Sequence, residues 1–428
     1  MFKRKHWYRR KKFAHFDEPL SPAAATAFVS NPENIAKHSF YPFVEFVILS
    51  RRYRTEKLPD ASGKKIKRRK SVSPKERPIK LSSHKDGYVY SYYARKLSDL
   101  YESYIEDKTF SEAVIAYRPK MGTNYSNAVE AFQFLESTGG AKVITLDISS
   151  FFENLDHKKL KEKWLEVLGL DNLPQDHYKI FRSLTKYSTV KIKDVCSEFS
   201  LKEQDIIKGK ITRICSASDF RTRLRAKTPK LIKVHSDLYG IPQGSAMSAV
   251  LSNIYMIDFD REVYSLCKRN GIFYRRYCDD IIFIQPLADS LDILEEAREL
   301  LKASGPNLLI HRDKTKGHIY DGERVSGAPV EYLGLTFDGQ KVLIRNGSLA
   351  KFQRKLRVAV AYRKSLAKRR TGPFAGQVFL RSLYRRYSWK LSNLSFHGYA
   401  KRVDRSTKLS AVKKQLRKSQ IQLEKLLK

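Results

Sequence analysis

Hydrophobic and polar positions follow two rhythms along this chain. Short apolar runs of strand length punctuate its middle, and longer stretches with helical spacing flank them. Val143–Leu146 reads as a buried strand that Asp147 ends. Gly271–Arg276 and Ile281–Ile284 read as two strands joined at a tight turn. Between them in the chain, the loop Tyr239–Gly244 leads into a long apolar-periodic helix near Ser248, which Ser245 or Ser248 can cap. Helices are predicted around Tyr88–Tyr104 and Asn124–Leu135, with His84-Lys85-Asp86 preceding and capping the first. Asp171–Lys193 reads as two short helices, and Gly63–Lys70 as a basic loop. Val412–Leu427 places apolar residues at helical intervals with basic residues between them. No apolar run reaches the roughly 20 residues of a membrane-spanning helix. No apolar stretch follows the basic start, so a cytoplasmic protein is expected.

Chemistry concentrates at the ends of the apolar runs. Tyr277-Cys278-Asp279-Asp280 would put two adjacent acids on the exposed tip of a hairpin. Acids flanked by Ile281–Ile284 need their charge compensated, and a divalent cation does that with oxygen ligands. A plain acidic turn is the competing reading, because aspartate favours turns. Asp147, at the carboxyl end of its strand, either binds such a cation or caps the helix that follows. Glu153 and Asp156 read as helix-surface acids. In the third element, Gly240-Ile241-Pro242-Gln243-Gly244, glycine allows close backbone approach to a ligand and Gln243 offers both donor and acceptor. Joining nucleotides is an in-line displacement at phosphorus, which two metal ions about 4 Å apart can promote. Asp147 and Asp279 would bridge such ions, with Asp280 as an outer ligand or electrostatic helper.

In this order, the three elements resemble those of the reverse transcriptases. The resemblance runs from about Ser71 to Lys418 and also takes in Phe151-Phe152 and Tyr332-Leu333-Gly334. It implies a right-hand α+β polymerase of fingers, a palm (an antiparallel sheet backed by helices) and a helical thumb. It further implies two Mg2+ ions, with Mn2+ as a substitute, held by Asp147, the backbone of Ile148, Asp279 and Asp280. Phe152 would lie beneath the sugar and disfavour ribonucleotides, although core packing is its competing role. Gln243 and Gly244 would contact the incoming nucleotide and template. Arg77 would hold the triphosphate with support from Arg118, and Lys314 would be the lysine of the fourth palm motif. Leu333 and Gly334 would form the primer grip. The implied partners are an RNA template, deoxynucleoside triphosphates and a cDNA product. One departure is Ser248-Ala249, where the family usually starts the helix Ser-Pro.

The expected organisation is a basic extension over residues 1–70, fingers over 71–135, palm over 136–330 and thumb over 331–428, with an insertion at about 165–235. Composition sharpens the choice of partner. Of 428 residues, 83 are Lys or Arg and 45 Asp or Glu, a formal net charge of +38 that favours a polyanion. From Arg345 to Lys428 there are 24 basic residues against Asp404 and Glu424. The segment Phe2–Phe13 interleaves aromatics with basic residues, which suits nucleic-acid contact; a tail without a partner is the alternative. Four cysteines lack metal or disulfide spacing and are expected to be mostly buried thiols, although the place of Cys278 in the candidate site would allow it to be accessible. The layout is most similar to bacterial defence-associated reverse transcriptases that act with a structured noncoding RNA. Retron enzymes fit less well, because Val325-Ser326-Gly327 stands where their pattern does not expect it, and group II intron enzymes normally carry a larger maturase region. An RNA-dependent RNA polymerase, a template-independent nucleotidyl transferase and a non-catalytic RNA-binding scaffold are the rival classes.

Overall fold

The computed structural model describes residues 7–59, 65–388, 396–407 and 411–427. Its strands in chain order are β1 (Phe43–Pro59), β2 (Lys65–Leu81), β3 (Ala141–Ser149), β4 (Ser188–Lys191), β5 (Lys233–Val234) and β6 (Phe273–Tyr277). They continue with β7 (Asp280–Pro286), β8 (Leu309–Ile310), β9 (Lys316–Tyr320), β10 (Val330–Tyr332), β11 (Leu335–Phe337) and β12 (Val342–Ile344). The fold is α+β, and the chain divides into two compact units that interleave in sequence. The first unit is Met1–Lys108, Ser150–Asp258 and Lys302–Leu308; the second is Thr109–Ser149, Phe259–Leu301 and Leu309–Lys428.

The second unit is built on an antiparallel sheet ordered β6-β7-β3-β8, with β9 also paired to β3. Val143, Ile282 and Ile284 are buried in a core that includes Phe132, Leu135, Tyr332 and Phe337. Each such side chain contributes about 1.5–3 kcal/mol on full burial. The three-stranded sheet β10-β11-β12 and the helices Asn124–Ser137 and Ala411–Leu427 belong to the same unit. As its periodicity predicts, the last of these turns Val412, Leu416 and Leu423 inward.

The first unit joins segments far apart in sequence. Its sheet runs β2-β1-β4-β5, and Phe43–Glu45 pair in parallel with Thr189–Lys191. Ala14 and Phe16 share a core with Val44, Val190, Ile192, Val195, Ile206, Ile214, Phe220 and Leu224. The amino-terminal segment and the stretch 188–224 are therefore stapled together.

Several sequence expectations change. Lys65–Lys70 opens β2 instead of forming a loop, because it pairs in register with Arg54–Pro59. Asp171–Lys193 holds one helix, Gln175–Thr185, followed by β4 and the start of the helix Ile192–Phe199; the β-branched Thr189 and Val190 suit the strand. The first long helix begins at His84 itself, capped by Ser83, whose Oγ accepts from the Asp86 amide at 3.1 Å. Trp7 packs edge-on against Tyr92 and Tyr8 stacks on Tyr88, so each half-exposed ring is already held from one side.

Candidate active site

The carboxylate cluster is set by strand register. β3 does not end at Asp147 but continues to Ser149. Asp147 stands opposite Asp280 in the β3/β7 ladder. Tyr277 pairs with Asp280 across the β6/β7 hairpin, so Cys278 and Asp279 alone form the turn. Cys278 has φ +60°, the positive value that tight hairpin turns require at their first position. The turn is tied to β3, because the Ile148 amide donates to the Asp279 carbonyl at 3.0 Å. The Cys278 side chain is buried and not accessible; the hairpin turns it inward. The tip is only partly exposed, with Asp279 half-buried and Asp280 at the surface.

Crowding makes these acids reluctant to ionise. Although the Asp280 side chain reaches the surface, the protein packed around it strips part of its hydration, and this, then repulsion from Asp279 and Asp147, pushes it up to about 7. Burial also raises Asp279, with Asp147 adding to the shift and the Asp279 amide and Cys278 thiol opposing it. Lys314 forms an ion pair with Asp147 Oδ1. The sequence names this lysine, and the structure brings it to the carboxylates.

Two side chains that the sequence reading passed over hold the hairpin. Arg276 and Asp260 form a fully buried ion pair, with Nε to Oδ1 at 2.7 Å and Nη2 to Oδ2 at 2.5 Å. Arg276 Nη1 donates to the Cys278 carbonyl at 3.1 Å, and Tyr274 Oη donates to Asp260 Oδ1 at 2.7 Å. The available signal was position: in Tyr274-Arg275-Arg276-Tyr277, alternation gives Arg276 the same face as Tyr274, and an inward arginine demands a buried partner.

All three carboxylates and Lys314 lie in the second unit. Their hard-oxygen donor set fits magnesium, and the weakened acidity of Asp279 and Asp280 marks a place where added positive charge is stabilising. Among the described residues, no three His, Cys, Asp or Glu side chains already stand at metal-ligand spacing. Here the Lys314 ammonium supplies the positive charge beside Asp147.

The residues expected at the nucleotide form a second set, in the first unit. Phe151 is core, whereas Phe152 remains half-exposed beside it. Ile241 donates its amide to the Phe152 carbonyl at 2.8 Å, and Gly240 to Leu155 at 2.8 Å. These bonds fix the glutamine loop against the turn that carries Phe152. The Lys80 amide donates to the Gln243 carbonyl at 3.2 Å. Gly244 has φ +111°, and a Cβ there would come within 3.0 Å of the Lys80 carbonyl oxygen, so the loop needs glycine. Arg77 is exposed three positions earlier on β2. Buried Lys80 is an addition to the set, signalled only by its alternation with Pro78 along the strand. Ser245 caps the helix Ala246–Tyr255, and Asp156 caps His157–Leu168.

Arg118 belongs to the second unit and is buried. Its guanidinium bonds to the Ser111 carbonyl, to the Val114 carbonyl at 2.9 Å and to Ser111 Oγ at 3.1 Å. It braces the turn before the helix Asn124–Ser137. Leu333 and Gly334 form the two-residue turn between β10 and β11, at φ +45° and +88°. A leucine in the left-handed region is strained. Both residues line a groove of about 860 Å3 with Lys351, Arg354, Tyr362 and Arg386, basic and aromatic together.

Residues 67–337 match the family described as "Reverse transcriptase (RNA-dependent DNA polymerase)". The chain belongs to the reverse transcriptase family. A curated relative is the Retron Ec83 reverse transcriptase of Escherichia coli, 36% identical over 73 residues, or 17% of this chain and 23% of that protein. The chain thus spans about a quarter of the length of this relative. Solved structures with partial likeness include apo telomerase from Candida tropicalis truncated from the C-terminal domain, at 13% identity and TM-score 0.42 over 70% of this chain and 57% of that one. Telomerase from Candida albicans in complex with a TWJ fragment of telomeric RNA has 11% identity and TM-score 0.40 over 96% and 71%.

Proposed function

We propose that this reverse transcriptase family member copies an RNA template, a structured noncoding RNA that acts as its partner, into complementary DNA as part of defence against phage. The observation that carries the polymerase reading is the register match of Asp147 with Asp280, beside Asp279 and Lys314. Asp147, Asp279, Asp280 and the Ile148 carbonyl would hold two Mg2+ ions, which Mn2+ can replace. Bound there, the ions would activate the primer hydroxyl and offset charge on the leaving pyrophosphate.

The remaining work belongs to the chain's own residues. Phe152 lies beneath the sugar and leaves no room for a 2′-hydroxyl. Gln243 and Gly244 touch the nucleotide and template, Arg77 holds the triphosphate, and Arg118 braces the turn before the helix Asn124–Ser137. Lys314 balances charge at Asp147. Leu333 and Gly334, with the basic groove beside them, seat the primer strand. The net charge of +38 supports a nucleic-acid partner.

The test is primer extension on RNA with deoxynucleotides. Asp279→Ala with Asp280→Ala removes synthesis and leaves RNA affinity within about twofold; synthesis that survives this change overturns the assignment. Sequencing nucleic acid co-purified from the native host tests the template. One abundant structured RNA with matching DNA supports the partner reading, and a broad RNA mixture without DNA opposes it.

A further inference from the structure

The first unit contains a cationic cavity that none of the roles above uses. It encloses about 390 Å3 and is lined by Arg10, Lys11, Lys12, Phe13, His84, Lys208 and Gly209 among others, with no acidic residue in its lining. Two chain segments nearly two hundred positions apart make its walls. The Ala14 amide donates to the Ile206 carbonyl at 2.9 Å, the Ile214 amide to the His15 carbonyl at 2.8 Å, and Arg213 Nε to the Phe16 carbonyl at 3.1 Å. Gly209, at φ +62°, lets the walls meet: a Cβ there would lie 1.6 Å from the Lys12 carbonyl oxygen. The cavity is thus preorganised by backbone bonds and by Arg213, which does not line it, and not by the charged side chains of its lining.

The charges inside are only partly answered. Lys11 donates to Ser82 Oγ at 3.0 Å and faces Asp17 and Asp86. Those two carboxylates are already engaged, Asp17 by the amides of His84 and Lys85, Asp86 by His38 and the Tyr41 amide. Among the described residues, Lys208 reaches only the neutral Gln204 amide oxygen, at 3.1 Å. No ion pair among the described residues offsets Arg10 or Lys12, and both are exposed. On the same wall, His84 Nδ1 is buried with no hydrogen-bond partner among the described residues. Three cations without counter-ions among the described residues, Arg10, Lys12 and Lys208, around a cavity whose walls are tied together by backbone bonds, describe an anion seat.

We infer that this cavity binds a phosphate of single-stranded RNA, held by Arg10, Lys12 and Lys208. It gives the basic amino-terminal segment a defined docking point, made jointly with residues 208–212. The inference does not depend on DNA synthesis.

The experiment uses the full chain and a short single-stranded RNA carrying 4-thiouridine. Photo-crosslinked peptides are mapped, and affinity is followed against salt. The expected result is a crosslink to the Arg10–Phe13 or Lys208–Thr212 peptide that is lost in Lys12→Ala with Lys208→Ala. The slope of log affinity against log salt then falls by about 0.7 for each phosphate contact removed. Both lysines are exposed, so the variant keeps its fold. No crosslink in either peptide, or an unchanged slope, overturns the inference. Competition by uridine monophosphate separates sources of the phosphate: displacement supports a free nucleotide in the same seat, and persistence supports the RNA strand. Asp279→Ala with Asp280→Ala is the control, and it retains the crosslink even though it loses synthesis, so failure of one reading is told apart from failure of the other.

Discussion

The two units hold their candidate functional groups by different means. In the second, a strand register sets Asp147 opposite Asp280, and a buried side-chain pair, Arg276 with Asp260, grips the turn between β6 and β7. In the first, the glutamine loop hangs from main-chain bonds, Ile241 to Phe152, Gly240 to Leu155 and Lys80 to Gln243. Charge chemistry needs fixed distances, and a sheet with a buried ion pair supplies them. Contacts that must read a sugar and a base can sit on loops, provided that backbone bonds and glycines hold the loops in place.

The largest effect should come from breaking the charged grip. Arg276→Met leaves Asp260 buried and unpaired, and is expected to destabilise the chain by about 3–5 kcal/mol in denaturant melts. Arg276→Met with Asp260→Leu removes both charges and should recover most of that loss. The Cys278 carbonyl still lacks its donor in the double variant, so synthesis stays depressed. Full activity in the double variant would show that the sheet alone holds the turn.

Phe152→Ala tests the other side of the contrast. Ribonucleotide use should rise relative to deoxynucleotide use by roughly tenfold, about 1.4 kcal/mol, within the range that one apolar contact supplies. Stability should barely move, because Phe151 and not Phe152 is the core residue. Equal loss with both nucleotides would return Phe152 to a packing role.

Acid should separate the units. His15 accepts from the Phe16 amide through Nδ1 at 2.9 Å and bonds the Leu81 carbonyl through Nε2 at 3.1 Å, which fixes the neutral ring. Burial pushes His15 down to about 4, and burial also lowers His84, His157 and His177 in the same unit. A histidine with a folded value below its unfolded value of about 6.5 binds more protons when unfolded. Its contribution is full above pH 6.5 and declines as pH falls towards 4. Hydrogen exchange at pH 5 should therefore open the segment Ala14–Phe16 before β3. The second unit has His318 and His397 lowered in the same direction, so some loss there is expected, but less.

The smallest effect is local. Leu333→Gly relieves a left-handed leucine and should stabilise by about 1 kcal/mol. If Leu333 seats the primer, the same change raises the KM for primer while kcat holds, as extension assays would show.

Much of the second unit was legible because its strands are nearly continuous apolar runs broken by acids. Val143–Leu146 and Ile281–Ile284 announced β3 and β7, and the Tyr277–Asp280 turn followed from them. The spacing of Phe152 from Asp147 was equally readable. What the sequence hid was pairing at long range. Nothing local tells Phe43 that it will lie beside Thr189, or Phe16 that Phe220 will share its core. Lys65–Lys70 looked like a loop because its charges mask a strand that only a partner strand makes favourable. Arg118 looked like a phosphate ligand because an arginine sequence cannot show which carbonyls its guanidinium will find.

The buried pair of Arg276 and Asp260 also bears on cooperativity. Local opening of the β6/β7 turn would strand two charges away from water, so partial opening is nearly as costly as losing the whole sheet. The β6/β7 hairpin should therefore be either fully formed or absent, with no frayed population between.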